Sequence, residues 1–145
     1  MVTSRIVATG AGIPSQVITN DDLAQIMDTS DEWIRQRTGI GERHISGGED
    51  LSYYTTKAAR QIIERAGIAP EDIDLIVVAT VTADYCTPSA ACMVQKEIGA
   101  VNAVAFDVTA ACSGFLYGVS VADKFIRCGV YKNALVIGGE ILSKI

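Results

Sequence analysis

Apolar and polar positions fall into two kinds of block along the 145 residues. Short solid apolar runs alternate with longer stretches in which apolar residues recur every three or four positions. The first kind suits strands covered on both faces, the second amphipathic helices. Residues 5–12 (RIVATGAG) read as a first buried strand ending in glycines. Asn20 is expected to cap a short helix over 21–27. A second helix is expected after Thr29, which stands in capping-box spacing with Glu32, and to end near Gly39. Beyond the polar loop 46–50, Ala58, Ala59, Ile62, Ile63 and Ala66 keep helical spacing through Leu51–Ala66, with Gly67 placed as a C-cap. Strands then follow at 74–80, 103–108 and 133–138, with helices between them at 89–98 and 113–127.

Strands alternating with helices of this length define an α/β layered fold with a largely parallel sheet. No linker, low-complexity tract or short repeat divides the chain, so 1–145 reads as one domain. The strand at 133–138 is followed by no helix to cover it, and the ending therefore reads as cut.

Composition narrows the class. With 49% hydrophobic, 20% charged and 6% aromatic residues, the chain is not disordered, collagen-like or a coiled coil. Twelve Lys and Arg against 17 Asp and Glu give a net charge of −5, which argues against a nucleic-acid or anionic-membrane surface. No apolar run approaches a membrane span and the N-terminus lacks a signal-peptide pattern. The expectation is a soluble, cytoplasmic protein with no nucleic-acid or membrane partner.

Cys86, Cys92, Cys112 and Cys128 form no C-x-x-C pair, and the lone histidine, His44, is remote from them in sequence. A zinc site does not fit that spacing and a disulfide framework does not suit a core-sized chain with no secretory signal, so each thiol is by default a small buried hydrophobe. Gly10-Ala11-Gly12 invites a dinucleotide reading, but Ser15 stands where the third glycine belongs and Pro14 falls where a helix would open. No phosphate-binding G-x-x-x-x-G-K-[ST] occurs.

The segment around Cys112 differs in kind. A strand ending in Asp107-Val108 runs through Thr109-Ala110-Ala111-Cys112-Ser113-Gly114-Phe115 directly into a helix. Strand, sharp turn and helix in succession expose a nucleophile at a sheet edge. A thiolate at a helix N-terminus is stabilised by unpaired backbone N–H groups and the helix dipole, and the same groups can hold an oxyanion. Small residues on both sides leave room for a substrate. A structural thiol in a tight turn fits this spacing equally well. Cys86, Cys92 and Cys128 lack the context.

The run from Thr109 to Phe115 resembles the nucleophile region of β-ketoacyl-acyl-carrier-protein synthase III, in the thiolase-like superfamily. Asp28-Thr29-Ser30-Asp31-Glu32-Trp33-Ile34, continuing through Arg37-Thr38-Gly39-Ile40 to Glu42-Arg43-His44-Ile45, resembles that family's coenzyme A entrance. Residues 75–80, Pro88-Ser89-Ala90-Ala91-Cys92 and 135–138 match in the same order, so the resemblance covers essentially the whole chain. It implies the N-terminal half of an αβαβα layered fold, the second half being absent from 1–145.

The resemblance also implies a transferase of fatty-acid biosynthesis, an acyltransferase that condenses a short acyl-CoA with malonyl-acyl carrier protein. Cys112 would carry the acyl group as a thioester, a soft nucleophile suited to thioester exchange. Trp33 and Arg37 match a pair that clamps the coenzyme A adenine, and Thr29 a polar contact at the same entrance. At Thr87 some relatives carry a bulky aromatic bordering the acyl pocket across a dimer, so a longer pocket is expected here. His44 matches a structural position.

No metal or cofactor is implied, acyl-CoA being a substrate, and a homodimer is expected through the strand at 103–108. The family's catalytic histidine and asparagine lie in its second half, so the 145 residues alone are expected to be inactive in condensation. Two alternatives stay open: an initiating ketosynthase of polyketide or other secondary metabolism, and a non-catalytic assembly half that needs a partner chain.

Overall fold

In the computed structural model, which describes residues 3–145, the elements run in the order β1 (Gln16–Thr19), α1 (Asn20–Ala24), α2 (Asp31–Thr38), β2 (Glu42–Ile45), α3 (Leu51–Ala66), β3 (Leu75–Ala79), α4 (Ala90–Ile98), β4 (Val104–Val108), α5 (Gly114–Arg127) and β5 (Ala134–Gly138). Short 3-10 turns lie at Pro70–Asp72, Ala111–Ser113 and Leu142–Lys144.

The five consecutive apolar residues of β3 occupy the centre of a three-stranded sheet in the order β4-β3-β5. Both neighbours run parallel to β3, with Leu75 opposite Val104 on one side and Ala134 on the other. Alternation along β3 divides the core. Ile76 and Val78 pack with α3 and α4, while Leu75 and Val77 pack with α5. Every residue of the strand is buried, which explains a run with no polar position. Each of its Leu, Ile and Val side chains stabilises the fold by about 1.5–3 kcal/mol.

Helix α5 lies close to the sheet because two of its positions carry no side chain. A Cβ on Gly118 would stand 3.0 Å from Val136 Cγ1 and 3.3 Å from Val77 Cγ1, and one on Gly114 would stand 3.1 Å from the Ala79 Cβ.

The layered α/β architecture agrees with the pattern of runs, and the differences lie at its margins. The first expected strand, residues 5–12, joins no ladder. Gly10 and Gly12 bring it against α3, where an added Cβ would collide with the Ala58 and Tyr54 carbonyl oxygens. There its main chain bonds to side chains: Gln61 exchanges two hydrogen bonds with Ala11, and Arg65 donates to the Thr9 carbonyl. A cleft of about 1310 Å³ separates this segment from β5, lined by Ile6, Ala8, Val119, Ala122, Val136 and Ile137 among others. With no strand within reach, an apolar run alone makes no ladder.

The first helix is shifted. Thr19, not Asn20, caps α1, sharing a capping box with Asp22. Asn20 lies inside the helix and is 1% exposed. Its amide donates to Asp31 and the Ile40 carbonyl and accepts from Arg43, tying α1, α2 and β2 together. Similarly Ser30, not Thr29, caps α2 by accepting from Trp33 N. The antiparallel pair β1–β2, with Gln16 opposite Ile45, has no counterpart among the expected elements. Its strands are four residues long and mostly polar, too short for periodicity to show.

Candidate active site

All three parallel strands end at the same edge of the sheet, and ligands of open α/β sheets bind outside the carboxyl ends of strands. Three segments leave that edge: the Cys112 turn after β4, the loop 80–89 after β3, and Gly139-Glu140 after β5.

The cysteine turn is sharp. Ala110 takes φ −145° and ψ 29°, and Ala111 follows at φ +44°. Ala111 is the one non-glycine residue with positive φ among the described residues, a conformation that costs an L-residue free energy and is held here by its surroundings. The Ser113 hydroxyl and N–H both bond to the Ala110 carbonyl, closing the turn at 2.9 and 3.2 Å. Helix α5 begins at the next residue, its Ser113 cap making no side-chain bond to the first turn. Cys112 is thus exposed on a strained strand-to-helix turn, beside helix N–H groups that no side-chain cap satisfies.

The other thiols correct the default expectation of burial. Cys86 and Cys128 are exposed because they lie on a loop and at a helix C-cap, while Cys92, partly buried on α4, points its sulfur at the Ala105 carbonyl. All four are free. Among the described residues no group of three His, Cys, Asp or Glu side chains could hold a metal ion.

Thr87 shares the sheet edge with Cys112, on the exposed part of the loop 80–89. Three carboxylates that sequence spacing does not reveal hold this loop. Glu140 accepts from the Thr80 and Thr82 hydroxyls and from Val81 N. Asp84 accepts from Leu51 N at 2.7 Å and Ser52 N at 2.8 Å. Asp107 accepts from Ala90 N and Ala91 N, both at 2.8 Å, where the loop enters α4. Each partner lies 16 or more residues away, so only the fold could disclose them.

Thr29, Trp33 and Arg37 stand apart from the sheet, in the unit built by β1, α1, α2 and β2. The Arg37 guanidinium lies over the Trp33 ring, 4.4 Å from its centre, on a helix face where the indole is 51% exposed. The two side chains meet because they are one helical turn apart. Thr29 is partly buried and precedes the cap. The carboxyl of Asp31 is held below the ordinary carboxylate range by the Asn20 amide and then by Arg35. His44 Nδ1 sits 2.7 Å from the Pro14 carbonyl, a fastening between β2 and the segment preceding β1.

A parallel α/β layer with a cysteine on the turn after an edge strand is what the resemblance to thiolase-like condensing enzymes implies. Comparison with known proteins agrees. The chain superposes on the crystal structure of 3-oxoacyl-[acyl-carrier-protein] synthase III from Aquifex aeolicus with TM-score 0.94 and 48% identity, covering 99% of this chain and 46% of that one. In sequence it matches the β-ketoacyl-acyl-carrier-protein synthase III family. The family described as 3-oxoacyl-[acyl-carrier-protein (ACP)] synthase III matches residues 106–145. The Clostridium tetani β-ketoacyl-[acyl-carrier-protein] synthase III is 55% identical over 141 residues, 97% of this chain and 42% of that protein. The priming β-ketosynthase of the R1128 polyketide pathway is also similar, with TM-score 0.85 and 36% identity over 88% of this chain and 39% of that one. The chain thus spans less than half the length of the relatives it matches.

Proposed function

We propose that the chain is the N-terminal, nucleophile-bearing half of a β-ketoacyl-acyl-carrier-protein synthase III that starts fatty-acid chains. The observation that carries the reading is the turn at Ala111, which holds the Cys112 thiol exposed at the head of α5. In the first step the Cys112 thiolate attacks the thioester carbonyl of a short acyl-CoA. The tetrahedral oxyanion collapses, the coenzyme A thiolate leaves and takes up a proton, and the acyl group remains as a Cys112 thioester. In this reading the backbone N–H groups at the start of α5, which no side-chain cap satisfies, receive the oxyanion. Malonyl-acyl carrier protein then loses carbon dioxide; its carbanion attacks the acyl carbonyl and expels Cys112 as thiolate.

Trp33, Arg37 and Thr29 bind the coenzyme A moiety in this reading, and Thr87 borders the acyl chain. The exposed, polarisable Trp33–Arg37 face suits a planar base. The second half of the protein supplies the remaining catalytic groups. In support, apolar surface on the α5 side lies uncovered: Phe115, Leu116 and Tyr117 are all exposed, and the cleft beside β5 is open. Val104 is exposed on β4, an edge strand of the sheet, which favours pairing across a homodimer. The reaction needs no metal or cofactor, and its substrates place it in the cytoplasm. No helix among the described residues is long and apolar enough to cross a membrane.

Incubating the intact protein with radiolabelled acetyl-CoA labels Cys112, and Cys112→Ser abolishes the label. Label that persists in that variant on another residue overturns the assignment. The likeness to a polyketide priming ketosynthase favours a second reading, initiation of a polyketide. Turnover with malonyl-carrier proteins from the two pathways separates the readings.

A further inference from the structure

We propose that Asp84 is a positioning residue: by capping α3 from a loop 33 residues away in sequence, it fixes the exposed tip 85–88 and thereby the choice of acyl primer. The inference rests on the reading of Thr87 as a wall of the acyl site.

The residue at the N-cap position of α3, Asp50, makes no side-chain bond to its first turn, and its carboxylate instead pairs with Lys144 Nζ at 2.9 Å. The first two N–H groups of α3, on Leu51 and Ser52, go to the two oxygens of Asp84. A carboxylate so placed satisfies both donors and meets the positive end of the helix dipole. Leu51 is itself fully buried in the core, so the anchor point is rigid.

The tip depends on its anchors. Among the described residues no hydrogen bond is made by Tyr85, Cys86, Thr87 or Pro88, and all four are exposed. Before the tip, Glu140 holds Thr80, Val81 and Thr82; after it, Ser89 and Asp107 satisfy the first N–H groups of α4. Among the described residues Asp84 is the single tether between those two clamps. Releasing it frees the six residues between Thr82 and Ser89 while both clamps, the sheet and the Cys112 turn remain. What is lost is a fixed location for Thr87, so the change falls on discrimination among primers and not on thioester chemistry.

The test uses the intact protein with acetyl-, butyryl-, octanoyl- and lauroyl-CoA. Asp84→Asn retains acylation of Cys112, and the spread of kcat/KM across the four primers shrinks by about tenfold, through KM more than kcat. Independently of activity, amide exchange at Leu51 and Ser52 accelerates. Asp84→Glu keeps the carboxylate and restores part of both readouts, and Asp50→Ala moves neither. If Asp84→Asn exposes the Leu51 and Ser52 amides but keeps the wild-type primer profile, the positioning role is overturned while the proposed function stands. If the wild-type protein forms no acyl-Cys112 with any primer, the proposed function fails and this inference falls with it.

Discussion

The turn that carries Cys112 and the unit that carries Trp33 are built on opposite plans. Around Cys112 the structure relies on backbone geometry and close packing: a positive φ at Ala111, glycines at 114 and 118, and a central strand buried on both faces. Around Trp33 it relies on polar side chains. Asn20 joins α1, α2 and β2 through three hydrogen bonds, and Asp31 and Arg35 pair on the helix surface at 2.8 Å. Packing positions atoms within tenths of an ångström and resists displacement. Apart from the buried Asn20, the contacts of this unit, such as Asp31–Arg35 and Trp33–Arg37, are exposed, and exposed polar contacts are individually weak and rearrange readily. A covalent nucleophile on the first plan and a stacking surface on the second match what each would do, one holding a reacting atom and the other admitting and releasing a substrate.

The comparison breaks most severely at the helix–sheet seam. Gly118→Val places a branched side chain against Val136 and Val77, both fixed by the sheet. Overpacking there is expected to destabilise the intact protein by about 1–3 kcal/mol, read from denaturant midpoints. An unchanged midpoint would show that α5 can move away from the sheet. Next in size is Asn20→Ala, which removes three hydrogen bonds made by a buried side chain, at a cost of about 1–3 kcal/mol. Amide exchange should rise in α1, α2 and β2 while β3 and β4 stay protected; a global rise would mean the two regions unfold together.

Trp33→Ala sharpens the contrast, because the indole is half-exposed and its contact with Arg37 lies at the surface. The stability change is expected to stay near the ~0.5–1 kcal/mol of an exposed cation–π pair. If the proposed function holds, KM for acyl-CoA rises about tenfold, equivalent to ~1.4 kcal/mol, with kcat much less affected. Parallel losses in KM and in the denaturation midpoint would assign Trp33 to the fold instead.

The smallest effect is in pH. Asp31 titrates below its ordinary value of 3.8, through the Asn20 hydrogen bond first and Arg35 second. A carboxyl depressed in the folded state contributes stability above its unfolded pKa and loses it as pH falls through the folded one. The α1–α2 unit should therefore loosen as the pH is lowered below about 3.8, and Asp31→Asn should flatten that dependence. Amide exchange in α2 across the acid range checks it.

Much of this was legible in the chain itself. The solid apolar runs at 75–79 and 134–138 are strands as read, the first covered on both faces and the second on one, with Ala134 and Val136 only partly buried, and the helix Leu51–Ala66 ended at its glycine as the spacing required. Strand, small residues, cysteine and helix in succession marked the turn at Cys112. Local signals sufficed there because each element carries its own periodicity and its own cap. They misled where two neighbouring residues were both competent: Thr19 and Asn20, Thr29 and Ser30. The capping box of Thr19 with Asp22, with Asn20 buried behind it, settled the first cap, and the bond that Trp33 N–H donates to Ser30 the second.

The sequence by itself determined the alternation of strands and helices, the parallel sheet and the placement of a thiol at a strand-to-helix junction. Only the tertiary structure decided that residues 5–12 lie on α3 outside any ladder, since a strand requires a neighbour and not merely apolar residues. It alone decided that Asp84, Asp107 and Glu140 bind the loop 80–89, because a carboxylate seeks unpaired N–H and hydroxyl donors wherever the fold brings them, and chain spacing carries no record of that meeting.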